Sequence, residues 1–216
     1  MTEINKRISD IGIVPVIKFS NPERDAVPLA RALCEGDVGV AEVTFRAAGA
    51  EKAIALMLKE QPQMLVGAGT VLTKEQIDKT IDAGGKFVVS PGFDAELVEY
   101  AQKKDIPIFP GCSSASDYHA AFKFGLEIIK FFPAEQEGGL AKIKALSAPF
   151  PMFKVMPTGG ISLKNLAEYI SCSVIAACGG SFMVKADLIE SQNWGEVTRL
   201  CKEARKIISD VRGGHS

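Results

Sequence analysis

The 216-residue chain predicts an α/β fold in a single domain, a (β/α)8 TIM barrel spanning residues 1–216 with an extra N-terminal helix. Short apolar runs rich in β-branched residues alternate with amphipathic stretches of helical period. No linker, low-complexity tract or break in composition interrupts them. Alternation through short loops requires parallel pairing by right-handed crossovers, and roughly eight such units in about 200 residues suit a small closed barrel. An open doubly wound sheet would carry a glycine-rich fingerprint after its first strand. Here that strand leads into Phe19-Ser20-Asn21-Pro22.

Taken in order, residues 1–10 are mixed in charge and helix-like, without the apolar region of a signal peptide. The first strand is predicted over 13–19. The helix over 22–35 is opened by Ser20-Asn21-Pro22-Glu23, a cap followed by an early proline. Strands over 39–45 and 64–69 follow, with helices over 50–59 and 74–83; Thr73-Lys74-Glu75-Gln76 is a capping box and Gly84-Gly85 a helix stop. The fourth and fifth strands are read at 87–90 and 107–109, and their helices at 95–103 and 115–124. The sixth strand, 128–132, precedes a helix over 139–146, and the seventh, 153–156, a helix over 163–170 capped by Ser162. The eighth strand is placed at 174–178 and a final helix at 195–209.

Composition narrows the function. A net charge of −1 provides no field to gather nucleic acid or an anionic membrane, and no apolar run reaches spanning length. The five cysteines are odd in number and lack C-x-x-C spacing, which predicts reduced thiols and a cytoplasmic protein. His119 and His215 are the only histidines, too few for a histidine-rich metal site; neither metal nor cofactor is expected. His119 reads as a helix-surface residue, and His215 belongs to a terminal Gly-Gly-His-Ser tail expected to fray. A small molecule is the expected partner, with no nucleic acid and no membrane.

Chemistry is sought at the C-terminal strand ends, where barrel active sites form. Lys130 lies in Ile128-Ile129-Lys130-Phe131-Phe132-Pro133, an amine inside a greasy strand. A buried ammonium must be paired or neutralised, and a neutral amine attacks carbonyl carbon. Lys18, near the top of the first strand, is the rival amine; Lys154 opens the seventh strand at the other end, where a solvent or stability role is expected. In Ala41-Glu42-Val43-Thr44-Phe45-Arg46 the period of two sends Glu42, Thr44 and Arg46 inward and their apolar neighbours toward the helices. The seventh and eighth strands run into Thr158-Gly159-Gly160 and Gly179-Gly180-Ser181. Two glycine pairs, read as turns at the usual phosphate position of such barrels, point to an anion cradle of backbone N–H groups.

Glu42-Val43-Thr44-Phe45-Arg46, Val66-Gly67-Ala68-Gly69-Thr70-Val71, Ser90-Pro91-Gly92, Lys130-Phe131-Phe132-Pro133-Ala134-Glu135, Pro157-Thr158-Gly159-Gly160-Ile161 and Gly179-Gly180-Ser181 occur in barrel-like order. With them the chain resembles the 2-keto-3-deoxy-6-phosphogluconate (KDPG) and 4-hydroxy-2-oxoglutarate (KHG) aldolases over nearly its full length. The resemblance implies a metal-free class I aldolase, a homotrimer, with Lys130 as Schiff-base lysine and Glu42 as proton carrier. It further implies Arg46 and Thr70 on the pyruvyl carboxylate, and Pro91 and Phe132 as walls. Thr158 would touch substrate, and Gly159, Gly160 and Ser181 would hold the distal phosphate. Ala47 after Arg46, Phe182 after Ser181, and the stretch from Cys112 to Asp117 depart from the family pattern. They leave open whether the acid is of gluconate, galactonate or hydroxyoxoglutarate type. A phosphosugar isomerase or epimerase using Glu42 as base, without a covalent step, is the rival activity; a non-catalytic binding barrel leaves the polar strand ends unexplained.

Overall fold

Thr2 opens the described structure, residues 1–213 of a computed structural model, by accepting the Asn5 amide on its hydroxyl. His215 lies outside the described residues. The helix that Thr2 caps, α1 (Glu3–Ile11), stops at Gly12, whose φ of 78° suits glycine. The Asn5 side chain donates to Glu127 at 2.7 Å and ties α1 to the strand that carries Lys130.

The strands are β1 (Ile13–Ile17), β2 (Val40–Thr44), β3 (Leu65–Gly69), β4 (Val88–Val89), β5 (Ile108–Phe109), β6 (Ile128–Phe131), β7 (Lys154–Pro157) and β8 (Cys178–Gly180). Between them run α2 (Pro22–Glu35), α3 (Ala50–Glu60), α4 (Lys74–Asp82), α5 (Ala95–Lys103), α6 (Ala115–Lys123), α7 (Gly139–Ser147) and α8 (Leu166–Ile170). Two helices, α9 (Ala186–Glu190) and α10 (Trp194–Gly213), close the described chain. All paired strands are parallel, and they form a curled sheet in the order β5-β4-β3-β2-β1-β8 with a separate β6-β7 pair. Isolated bridges lie across the two gaps, Gly111 with Lys130 on one side and Val155 with Ile175 and Thr158 with Gly179 on the other. β2 and β3 are buried at every residue, as strands covered by helices on one side and by a packed interior on the other must be.

Most helix starts follow the sequence reading. Asn21 accepts the Arg24 amide with Pro22 in the first turn, and Thr73 and Gln76 form both halves of a capping box. Ser162 does not cap α8. That helix begins four residues later, and Ser162 instead donates its backbone N–H to Asn165 Oδ1 at 2.8 Å, using the asparagine to close a turn. β8 is also displaced from the expected 174–178. Ile175 bridges to β7, and only at Cys178 does the chain take up its ladder with β1, Val14 opposite Gly179 and Pro15 opposite Gly180. Periodicity sees the apolar run but not which neighbour each part of it pairs with. The last helix is longer than expected because its end is anchored: Arg205 donates to Asp10 O at 3.1 Å and Arg212 to Ala176 O at 2.7 Å. Trp194 packs against the core. No described helix is long and apolar enough to cross a membrane.

Candidate active site

One cavity of about 340 Å³ opens at the C-terminal strand ends, and Lys130, Glu42, Arg46, Thr70, Pro91, Phe132, Thr158, Gly159, Gly160 and Ser181 all line it. Its chemistry starts on β2. The Thr44 hydroxyl donates to Ile17 O on β1 at 2.8 Å and accepts from Arg46 Nε at 3.2 Å. That places the guanidinium at the rim, while Glu42, two residues deeper on the same face, reaches the interior.

Lys130 faces it. The β6 backbone at this residue is held on both sides, by Pro110 O at 3.0 Å and Cys112 N at 2.8 Å, and by its pairing with Met156 of β7. The side chain is only 5% exposed; Nζ lies 3.8 Å from Glu42 Oε1 and 4.9 Å from the centre of the Phe132 ring. At that separation amine and carboxylate attract as charges without a hydrogen bond between them. Glu42 is 1% exposed, and neither of its oxygens has a hydrogen-bond partner. A buried acceptor left free beside a cavity is suited to taking a proton from a ligand or water. Gly69 on β3 makes the arrangement possible, since a Cβ there would overlap Glu42 Oε1 and displace the carboxylate.

Thr70 follows at φ 53°, a left-handed conformation that a β-branched residue adopts only at a cost of about 1–2 kcal/mol. Its place on the cavity wall accounts for that strain. Thr70→Gly is expected to raise unfolding free energy by about 1 kcal/mol while kcat/KM falls about tenfold. Urea denaturation and steady-state kinetics read the two opposing changes.

Pro91 and Phe132 line the same cavity. Thr158 Oγ1 is buried without a partner, and Gly159 and Gly160 turn at φ 103° and 80°. Beside them lies Ser181. The other glycine pair corrects the sequence reading. Gly179 and Gly180 are not a turn but part of β8, with no positive φ. Glycine is needed at 179 for close approach, because a Cβ there would overlap Thr158 Oγ1.

Val16 and Ile161 also line the cavity and were not foreseen. Val16 shares a strand face with Lys18, so parity along the first strand could have found it. Lys18 itself is exposed and outside the cavity, as is His119; Lys154 is exposed and donates to Ser173 O at 2.6 Å. All five cysteines are free, and burial raises the thiols of Cys112 and Cys178, and that of Cys201 to about 12, so these three are not thiolates at neutral pH. Among the described residues no three His, Cys, Asp or Glu side chains gather to hold a metal ion.

A buried amine facing a free carboxylate, in a cavity also lined by an arginine and a glycine turn, defines a lysine-dependent enzyme of carbonyl compounds. Comparison with known proteins makes the class specific. Residues 4–200 match the model of the KDPG and KHG aldolases. The chain is 43% identical over 208 residues to 2-dehydro-3-deoxy-phosphogluconate aldolase of Treponema pallidum (strain Nichols), covering 96% of this chain and 99% of that one. It is 41% identical over 192 residues to the KHG/KDPG aldolase of Escherichia coli K12, covering 89% and 90%. The crystal structure of KDPG aldolase from Legionella pneumophila, with pyruvate captured at low pH as a covalent carbinolamine intermediate, superposes with a TM-score of 0.90 at 40% identity, over 94% and 98% of the two chains. The chain belongs to the KDPG and KHG aldolase family.

Proposed function

We propose that this protein is a class I aldolase that cleaves 2-keto-3-deoxy-6-phosphogluconate to pyruvate and glyceraldehyde 3-phosphate, with 4-hydroxy-2-oxoglutarate as a further substrate. The observation that carries this reading is the Lys130 amine 3.8 Å from a carboxylate that nothing else occupies. Lys130 Nζ adds to the C2 ketone, forming a carbinolamine; the Glu42 carboxylate, through water, takes the proton that the nitrogen gives up and passes it to the carbinolamine hydroxyl, which leaves as water. The iminium left behind is an electron sink. Glu42 then takes the C4 hydroxyl proton, the C3–C4 bond breaks, and its electron pair becomes the enamine while the aldehyde departs. Protonation at C3 and hydrolysis release pyruvate and restore the amine.

The remaining residues take roles that fit their positions. Arg46 offers a two-pronged donor to the pyruvyl carboxylate, with Thr70 beside it. Pro91 and Phe132 exclude water from the amine. Thr158, whose hydroxyl has no other partner, reaches the substrate chain, and Gly159, Gly160 and Ser181 hold the distal phosphate. The bridges across both gaps of the sheet support a closed eight-stranded (β/α)8 barrel as the working scaffold. A cytoplasmic homotrimer completes the proposal; light scattering should return about three times the 23.1 kDa chain mass.

Borohydride reduction with pyruvate tests the covalent step. The expected product is a single adduct on Lys130, located by peptide mass; an adduct on Lys18 moves the nucleophile there, and no adduct at all sinks the covalent mechanism and favours the isomerase reading. The phosphate assignment is tested separately. The phosphorylated acid should exceed its unphosphorylated counterpart by about 10²-fold or more in kcat/KM, and equal values remove the Gly159–Gly160 cradle from the mechanism.

A further inference from the structure

Glu135 lies outside the wall of the catalytic cavity, yet it is built into the turn that the proposed function assigns to phosphate. Its backbone N–H donates to Gly159 O at 3.2 Å, beside the Ala134 N–H to Thr158 O bond at 2.8 Å. Its side chain then folds across Gly160, where a Cβ would overlap Glu135 Cγ. From there the carboxylate accepts a hydrogen bond from the Tyr169 hydroxyl of α8. Tyr169 is buried, and burial first, then Glu135, raise its pKa, so it is the donor and Glu135 the acceptor. Gly139 closes the corner, leaving space against both the Tyr169 hydroxyl and Glu135 Oε1. One helical turn before Tyr169, Asn165 Nδ2 donates to Gly160 O at 3.0 Å.

The Gly159–Gly160 turn is therefore clamped from two sides, by Glu135 in the segment after β6 and by Asn165 just before α8. Its residues sit at φ 103° and 80°, so its N–H groups point usefully only while the turn keeps that shape. A glycine pair at the cavity wall would otherwise sample several conformations, and ordering it on ligand binding costs affinity.

We infer that Glu135, locked by the Tyr169 hydroxyl, is a positioning residue that preorganises the Gly159–Gly160 turn for the phosphate of the substrate. The inference rests on the phosphate reading of that turn. It predicts a defect in affinity for the phosphorylated end alone, because Glu42 stands on β2 and the Lys130 backbone is held by its own bonds to Pro110 and Cys112 and its pairing with Met156.

The test compares Glu135→Ala, Tyr169→Phe and Glu135→Gln with the unaltered protein, using the phosphorylated acid, its unphosphorylated counterpart and borohydride trapping with pyruvate. Glu135→Ala and Tyr169→Phe should each raise KM for the phosphorylated acid roughly tenfold, with kcat, trapping rate and KM for the unphosphorylated acid unchanged. Glu135→Gln should stay within about twofold, since its amide oxygen still accepts from Tyr169. Unchanged KM in both disruptive variants, or an equal rise for both substrates, overturns the inference while leaving the phosphate reading intact. If the unaltered protein shows no preference for phosphate, the reading and the inference fall together.

Discussion

Lys130→Met is expected to abolish pyruvate release, lowering kcat by on the order of 10⁴–10⁶-fold, the scale seen when a covalent nucleophile is removed. Methionine keeps the length and the contact with Phe132 but has no lone pair able to form an iminium. The same change should also destabilise the fold. It leaves Glu42 as a buried carboxylate with no counter-charge and no hydrogen bond, and breaking a buried pair from one side costs about 3–5 kcal/mol. For a chain of this size that corresponds to a fall in Tm of roughly 10 °C. The double variant Lys130→Met/Glu42→Gln separates the two effects. It should regain most of the lost stability, because no lone charge remains, and none of the activity. Turnover retained by Lys130→Met would move the nucleophile elsewhere, with Lys18 the first alternative to trap.

Glu42→Gln is expected to lower kcat by about 10²–10⁴-fold while the protein still binds pyruvate. Glutamine fits the space that Gly69 leaves and cannot shuttle a proton. Borohydride should therefore still mark Lys130, but more slowly, because carbinolamine dehydration loses its acid. Gly69→Ala should produce a related defect with Glu42 present, by forcing the carboxylate away from the amine. Wild-type turnover in Glu42→Gln would assign the proton transfers to another group. Normal activity in Gly69→Ala would show that the carboxylate tolerates displacement.

The sequence made these residues visible unevenly. Glu42 and Arg46 were legible because alternation along β2 admits no other way of burying Val43, and their polar face had to look inward. Lys130 stood out because its neighbours on both sides are large and apolar. Thr70 gave no sign of its left-handed backbone; the strain arises where β3 must end beside the cavity and the chain still reach the Val71–Val89 hydrogen bond. Gly179-Gly180 looked like a turn because glycine pairs commonly are one. The need for glycine came instead from Thr158, a residue some twenty positions away on the neighbouring strand. Ser162 failed as a cap because α8 begins only after Asn165, whose side-chain oxygen accepts the Ser162 backbone N–H.

What the chain alone determined was the alternation of strand and helix, the inward face of β2 and the presence of one amine in apolar surroundings. These are local properties, set by side-chain period and by the cost of burying charge. Only the tertiary structure decided which strand each apolar run pairs with, that the amine stops 3.8 Å from the carboxylate, and that Glu135 braces a turn from across the loop. Those depend on distances between residues far apart in sequence, and such distances follow from how the curled sheet brings its strands together.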